Sequence, residues 1–310
     1  MKLAVLDLGT NTFNLLIAEN INNTMHELVR KKRPVKIGKD GLAQHIIAPD
    51  AYQRALDAIQ EYKIIIEKQH VDKIKIVATS AFRTTDNGLN LSSDIEKILQ
   101  TEVKIIDGDK EATYIYDGIR AAVPLTDKKV LMLDIGGGSN ELIIANRDEI
   151  FWKHSFKLGI SRLIEMFKPE DPLSPQDIYR ISTYIQEELV LLKTALSTFP
   201  TDTLVGSSGT FDTIANMMHF KQHQIPIDAS KKWNELNLLL FFRMLDMLII
   251  SSFEQRKNIV GMDMTRIEMI PVAALFVRNV IELFHCKRIL HSQYAIKEGV
   301  WFDTMAILQQ

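Results

Sequence analysis

Two short apolar runs near the N-terminus meet at a polar turn. Leu6-Asp7-Leu8 closes the first run, Gly9-Thr10-Asn11-Thr12 turns, and Leu15-Leu16-Ile17-Ala18 belongs to the second. The same grammar returns 127 positions later, as Leu133-Asp134-Ile135, Gly136-Gly137-Gly138-Ser139 and Leu142-Ile143-Ile144-Ala145. Glycine and small hydroxyl residues stand where a backbone must reverse sharply, so each copy reads as a β-hairpin. A repeated supersecondary unit predicts two domains of similar build, each opening with that hairpin.

Between the copies the apolar period switches back and forth. Helical spacing covers Ala51 to Lys68, Leu91 to Gln100 and Glu111 to Ala122, while strands fall at Lys73 to Thr79 and Val103 to Ile106. Such alternation predicts sheets covered by helices. In the second half, Ser174-Pro175 with Asp177 marks a helix start, with serine as cap and proline at the first helical position. Ile178, Ile181, Ile185, Leu189, Leu192 and Leu196 then keep one apolar face to about Leu196. A strand at Thr203 to Val205 runs into Gly206-Ser207-Ser208-Gly209-Thr210 and a further helix; one at Arg288 to Leu290 precedes the last helix, Ala295 to Leu308. The stretch Leu236 to Ile250 is broken by Arg243 and Asp246 and is too short to span a bilayer, so it reads as a buried helix. Met262, Met264 and Met269 read as core filling, and the domain boundary is placed near Leu125.

Composition narrows the picture. A chain of 310 residues suits two domains, and 46% hydrophobic with 25% charged residues is ordinary for a globular protein. Thirty-seven basic against 39 acidic side chains, a net charge of -2, argue against a histone-like or membrane-coating role, so a polyanion would need a local basic patch. Cys286 is the only cysteine, which rules out an intrachain disulfide and a thiolate metal cage and favours a reducing, cytoplasmic location. Asp7 interrupts the first apolar run before it can serve as a signal-peptide core. No run of basic and aromatic residues suggests nucleic-acid stacking.

The turns are where chemistry can sit. Gly9 to Thr12, Gly136 to Ser139 and Gly206 to Thr210 each follow a strand, and small residues let backbone N–H groups converge on phosphate oxygens. The third loop also opens a helix, whose free amides attract an anion. Any one loop is commonly a plain turn; three, two of them related by a repeat, point to phosphate. Asp7 and Asp134 end equivalent strands beside these loops, and oxygen ligands near phosphate are what Mg²⁺ requires. Glu141 is balanced between that role and a structural one. Glu111 begins a helix, where acids complement the dipole, and spacing alone does not make it catalytic. Arg83 follows a strand and can pair with phosphate or simply be solvated. His219 and His223 lack the glutamate of a His-Glu-x-x-His zinc site and read as helix-end residues; Cys286 reads as packing.

Taken in order, these segments resemble the exopolyphosphatase/guanosine pentaphosphate phosphohydrolase family over nearly the whole chain. Leu6 to Phe13 is similar to its Asp-x-Gly-Ser/Thr-Asn-Ser/Thr motif, and Ala78-Thr79-Ser80-Ala81-Phe82-Arg83 with Asn87 to its Ala-Thr-Ser-Ala-x-Arg segment. Gly108 to Ala112 resembles Gly-x-x-Glu-Ala, and Asp134 to Glu141 the second phosphate loop. Ser208-Gly209-Thr210 and Lys297-Glu298-Gly299 complete the set.

The resemblance implies two ribonuclease-H-like domains of the actin and sugar-kinase superfamily, with the active site in the cleft between them. The first would comprise residues 1–124 plus the returning C-terminal helix 296–310, and the second residues 125–295. Glu111 would be the general base; Asp7, Asp134 and Glu141 would hold Mg²⁺ or another divalent cation. Thr10, Asn11, Arg83, Gly137, Gly138, Ser139, Ser208, Gly209, Thr210 and Arg266 would contact phosphates. The implied substrate is inorganic polyphosphate or guanosine pentaphosphate, with neither nucleic acid nor membrane as partner and a homodimer admitted. A sensor of guanosine tetra- or pentaphosphate and an actin-like-fold phosphotransferase are the rival readings. Asn140 stands where the family commonly has Thr, Glu268 where Asp is usual, and Ala295-Ile296-Lys297 where Gly-Leu-Arg is usual. The sequence lacks the C-terminal extension of longer members, so the expectation is a preference for shorter chains or nucleotides.

Overall fold

The computed structural model describes residues 1–39, 41, 44–228 and 230–308. The first half runs β1 (Lys2–Leu8), β2 (Thr12–Ile21), β3 (Thr24–Pro34), α1 (Pro49–Lys68), β4 (Lys73–Ala78), α2 (Ser80–Thr84), α3 (Gly88–Leu99), β5 (Val103–Ile105) and α4 (Gly108–Ala122). The second half opens with β6 (Val130–Ile135), β7 (Asn140–Ala145) and β8 (Ile150–Phe156), then α5 (Ile160–Phe167), α6 (Pro175–Glu188), α7 (Val190–Thr198), β9 (Thr203–Ser207) and α8 (Ser208–His223). It closes with β10 (Trp233–Leu236), α9 (Leu238–Ile250), α10 (Phe253–Lys257), α11 (Ile270–Ile281), β11 (Arg288–Ser292) and α12 (Ile296–Leu308).

The repeat extends well beyond the hairpins. One sheet has the order β3-β2-β1-β4-β5, the other β10-β11-β9-β6-β7-β8. In both, three consecutive antiparallel strands are joined on the first strand's free side to two parallel ones: β1 pairs with β2 and β4, and β6 with β7 and β9. The second sheet adds β10 antiparallel at its edge. This is the doubled α/β build that the resemblance implies.

Period-two alternation decides what faces what. On β1, Ala4, Leu6 and Leu8 join the core that lies against α1 and α3, while Leu3 and Val5 face the opposite way. On β6, Leu131 and Leu133 face the helical layer of the second half, and Val130 and Met132 face the same middle core as Leu3 and Val5. The middle core also takes Ile115 and Ile119 of α4 and Val300 and Trp301 of α12. Two sheets therefore sandwich two helices. Asp7 and Asp134 are the next members of the inward-facing series on their strands, which directs both towards the gap.

The sandwiched helices meet backbone to backbone. A Cβ at Gly118 would lie 2.0 Å from the Ala295 carbonyl oxygen, and one at Gly299 would lie 1.8 Å from that of Tyr114. Only glycine permits this approach. The last helix packs on α4, β1 and β2, and the Trp301 indole N–H reaches the Ala18 carbonyl at 3.5 Å. Gln309 and Gln310, the end of the expected C-terminal segment, lie outside the described residues.

Several expectations need correction. The edge strands β3, β8 and β10 lie outside the expected elements: β3 is polar and mostly exposed, as an edge that blunts further pairing is, and β8, Ile-Phe-Trp-Lys-His-Ser-Phe, lacks period-two alternation. The single helix expected to reach Leu196 breaks at Leu189, whose backbone leaves helical geometry at φ -83° and ψ 14°. Helix α9 buries one face only: Leu239 is 61% and Ile250 65% exposed. Met264 is half exposed rather than core filling. Arg83 sits in the last turn of α2, a short helix absent from the expected elements.

Candidate active site

The ends of β1 and β6 open onto a cavity of about 570 Å³ including its mouth. Asp7, Glu111, Asp134 and Glu141 line it, each at most 7% exposed. Strand register pairs Asp7 with Asn14 and Asp134 with Glu141, so Asn14 is the first repeat's counterpart of Glu141. Its amide donates to Asp7 Oδ2 at 2.9 Å. The second repeat surrounds its acids with hydroxyls instead. Ser207 Oγ donates to Asp134 Oδ2 at 2.7 Å, and Ser208 Oγ to the same oxygen at 2.6 Å. Ser155 Oγ donates to Glu141 Oε1 at 2.7 Å.

Glu111 arrives on α4, whose first turn is capped by the Asp107 side chain accepting from the Lys110 N–H at 2.7 Å. With the helix fixed, Glu111 and Ile115, one turn apart, face the cavity together. Arg83 Nη1 donates to Glu111 Oε2 at 2.8 Å and to the Ile106 carbonyl at 2.6 Å. One carboxylate oxygen is thus held from behind.

Four carboxyl groups in one desolvated space raise one another's pKa. Burial pushes Asp7 up to about 7, against Lys297 and the Asn14 hydrogen bond, with Asp134 adding to the rise. Glu141 is likewise pushed up to about 7, by burial first, against the Ser155 hydroxyl and with Asp134 adding. Glu111 is driven well above the usual carboxylate range by burial and then by Glu141, with Arg83 pulling it down. Burial raises Asp134 too, opposed by the Ser208 and Ser207 hydroxyls.

The two hairpin loops interlock across the cleft. A Cβ at Gly137 would lie 2.4 Å from Asn11 Nδ2, and one at Gly138 would lie 2.6 Å from Ser80 Oγ and 2.8 Å from Thr10 Oγ1. Asn11 spends its amide on the second half of the chain, accepting from Ser161 Oγ at 2.9 Å and donating to Met269 Sδ at 3.1 Å. Its backbone carbonyl accepts from Val35 and Lys36. Gly209 is required for another reason, since a Cβ there would lie 2.2 Å from the Arg266 guanidinium. Arg266 lines the cavity.

Of the residues singled out from sequence, the cavity brings together Asp7, Thr10, Asn11, Glu111, Asp134, Gly137, Gly138, Ser139, Glu141, Ser208 and Arg266. Three stand outside its lining. Arg83 lies behind Glu111, Gly209 supports Arg266, and Thr210 is buried in the first turn of α8. None of the departures replaces one of the four acids, though Ile296 lines the cavity and Lys297 pulls the Asp7 carboxyl down. Asn140 staples the second loop, its Oδ1 accepting from the Gly136 N–H and its Nδ2 donating to the Leu158 carbonyl. Glu268 pairs with Lys36 at 2.8 Å on the cleft rim. Lys297 and Arg30 both hold the fully buried Glu298, at 3.2 and 2.7 Å. Asn87 brackets the Ile47 backbone. Sequence reasoning missed Asn14 and Ser155, and singled out Ser207 only as a member of the third loop. Asn14 could have been found by carrying the repeat one strand further; Ser155 carries no signal of its own. His223 sits in the last turn of α8 and His219 one turn before it, neither lining this cavity, and His219 Nδ1 is 3.0 Å from the Ile225 carbonyl oxygen.

The fold and cavity define a two-domain α/β protein whose polar site lies in the cleft between related halves. The chain belongs to the Ppx/GppA phosphatase family, whose profile matches residues 16–307. It is 37% identical to an exopolyphosphatase of Cytophaga hutchinsonii of known structure, with a TM-score of 0.95 over 99% of this chain and 98% of that one. A putative exopolyphosphatase of Haemophilus influenzae is 23% identical over 97% of this chain and 91% of its own length. A guanosine-5'-triphosphate,3'-diphosphate pyrophosphatase of Vibrio vulnificus is 24% identical over 99% of this chain, which spans 60% of that relative. Among the described residues, no helix is long and apolar enough to cross a membrane.

Proposed function

We propose that this protein hydrolyses phosphoric anhydrides in the cytoplasm, releasing the terminal phosphate of inorganic polyphosphate or guanosine pentaphosphate, with Glu111 as general base. The observation that carries this reading is the placement of Glu111, buried in the cavity wall with one oxygen tied to Arg83. The other oxygen, Oε1, is left to accept a proton from water. As the water oxygen bonds to the terminal phosphorus, the bridging P–O bond breaks and the electron pair leaves with the shortened chain. A carboxylate with an upward-shifted pKa suits a base working near neutrality, a role often contributing about 10²–10⁴-fold. Arg266 and the backbone amides of the three loops would neutralise phosphate oxygens as charge shifts between them.

The donor set fits a divalent cation. It is all oxygen, and carboxyl groups that burial first, and neighbouring carboxyl groups second, hold partly protonated near pH 7 would be relieved by a positive ion. Asp7, Asp134 and Glu141 are the residues proposed to hold it. Among the described residues no three acids, histidines or cysteines stand close enough together to hold a metal ion by themselves, so the cation would have to complete its shell with waters and phosphate oxygens, as Mg²⁺ does. Bound there, Mg²⁺ would supply charge neutralisation for the phosphates. We also place the division into domains at residues 1–124 with the final helix, and 125–295; the packing of α12 on α4 and β1 supports it.

Phosphate release from polyphosphates of several lengths and from guanosine pentaphosphate, with and without Mg²⁺, tests the reading. The expected result is release at catalytic enzyme levels that stops on chelation and returns with Mg²⁺. No release from any of these substrates would overturn it.

A further inference from the structure

Arg256, in the short helix α10, is 0% exposed, as deeply enclosed as any apolar residue of the core. Each nitrogen of its guanidinium has a partner. Nε donates to the Ile267 carbonyl at 2.8 Å, Nη1 to the Ser251 carbonyl and Nη2 to Asp171 Oδ2. The other Asp171 oxygen accepts from the Phe253 N–H at 2.7 Å, which ties the acid to the head of α10. Enclosing a cation is costly even when it is paired, and an apolar side chain of similar volume often serves stability as well. An apolar side chain could not hold the Ile267 carbonyl.

Ile267 follows Arg266, the arginine that lines the catalytic cavity. Both stand on the irregular segment 258–269 between α10 and α11. Locally the backbone closes into a turn: the Arg266 N–H donates to the Asp263 carbonyl at 2.9 Å, and its own carbonyl accepts from Met269 and Ile270. Asp263 and Glu268, on either side, pair with Lys32 and Lys36 across the cleft, and the Arg266 guanidinium lies over Gly209. Those two ion pairs are weak mounts, because Lys32 is 57% exposed and Glu268 61%. Asn216 donates to the Gly261 carbonyl at 3.0 Å, five residues from Arg266. Among the described residues, the bond from Arg256 is the one wholly buried side-chain bond to this segment, and it adjoins Arg266.

We propose that Arg256 is a positioning residue, which through the Ile267 carbonyl sets where the Arg266 guanidinium meets a substrate phosphate. The inference rests on the phosphohydrolase reading above, in which Arg266 contacts phosphate. A planar fork held at several points cannot shift without breaking a bond that water is excluded from replacing. A contact to a phosphate whose charge is changing depends on such rigidity, since a displacement of about 1 Å can cost about 10²-fold. Lysine keeps the charge at this position but offers a single nitrogen, which cannot reach partners spread along the fork.

The test is a double-mutant cycle on Arg256→Lys and Arg266→Ala, read as kcat/KM for tripolyphosphate, with the melting temperature of every variant measured beside it. Arg256→Lys alone should lower kcat/KM about ten- to a hundred-fold. In the Arg266→Ala background it should lower it no further than about two-fold, because the side chain it places is gone. Losses that multiply overturn the proposal, since a merely structural arginine costs the same in both backgrounds. An unchanged kcat/KM in the single variant overturns it too. If Arg256→Lys does not fold, Asp171→Asn replaces it in the cycle, keeping the arginine and neutralising one of its anchors. That effect should be about three-fold and should also vanish without Arg266; an unchanged kcat/KM, or a loss that persists without Arg266, overturns the proposal. A second arm repeats the cycle as equilibrium binding of tripolyphosphate with divalent ions chelated, where no turnover occurs. The same pattern there supports the placement even if the protein releases no phosphate from any substrate, a result that would sink the hydrolase reading alone. Binding left unaltered by either single variant overturns the placement.

Discussion

Arg83 Nη1 lies 2.8 Å from Glu111 Oε2 while donating to the Ile106 carbonyl at 2.6 Å. The carbonyl, just beyond the end of β5, fixes the guanidinium, and the guanidinium fixes the acid. Arg83 thereby opposes the burial and the Glu141 charge that raise Glu111.

Removing that cation has a direction. With Arg83→Gln the neutral form of Glu111 gains further ground, so the acidic limb of the kcat profile moves to higher pH. A base must be deprotonated to work, so turnover should fall most at about pH 6 and recover partly at about pH 9. A loss equal at every pH would mean that Arg83 acts on phosphate rather than on the base.

Stability should depend on pH and on divalent ions together. Asp7 and Glu141 have pKa values of about 7 in the folded chain, against 3.8 and 4.5 ordinarily. Between those limits the folded state holds protons that the unfolded state has released. Their contribution is therefore full below about pH 4 and is lost as pH rises through about 7. A cation that competes with those protons should raise the melting temperature more at about pH 8 than at about pH 5.5. Thermal unfolding with and without Mg²⁺ checks this, and an equal effect at both pH values would contradict it.

The contact between α4 and α12 should be intolerant of a single methyl group. Gly118→Ala and Gly299→Ala each drive a Cβ into a backbone carbonyl, at 2.0 and 1.8 Å. Overpacking of this kind costs about 1–3 kcal/mol. Each variant should melt several degrees lower, and because α4 carries Glu111, kcat should fall as well. Unchanged melting would show that the helices can slide apart.

Ser207 is fully buried and donates to Asp134 at 2.7 Å. Ser207→Ala removes a bond that holds the charged form of Asp134. The variant should need more Mg²⁺ for half-maximal activity, by about ten-fold or more for a bond to a charged group. Titrating activity against Mg²⁺ measures it, and an unchanged requirement would remove Asp134 from the cation site.

Much of this was legible in the chain. The shift from Leu6-Asp7 to Leu133-Asp134 foretold two related sheets, and strand alternation directs both acids to the gap between them. Other relationships needed the fold. Arg83 and Glu111 are 28 positions apart on different helices, and no local pattern signals that one will hold the other. Ser155 reaches Glu141 from β8, an edge strand that follows no period-two alternation. The break at Leu189 is invisible to apolar spacing because both flanking helices keep the same buried face. Asn11 lines the cavity, and no local pattern announces that its side chain also bridges to Ser161 and Met269, 150 and 258 positions away.

The most direct test of the account is Glu111→Gln, which keeps the shape of the side chain and removes its basicity. Phosphate release should fall by about 10²–10⁴-fold, while equilibrium binding of polyphosphate stays within a few-fold of wild type. Turnover at the wild-type rate would contradict the assignment of the base.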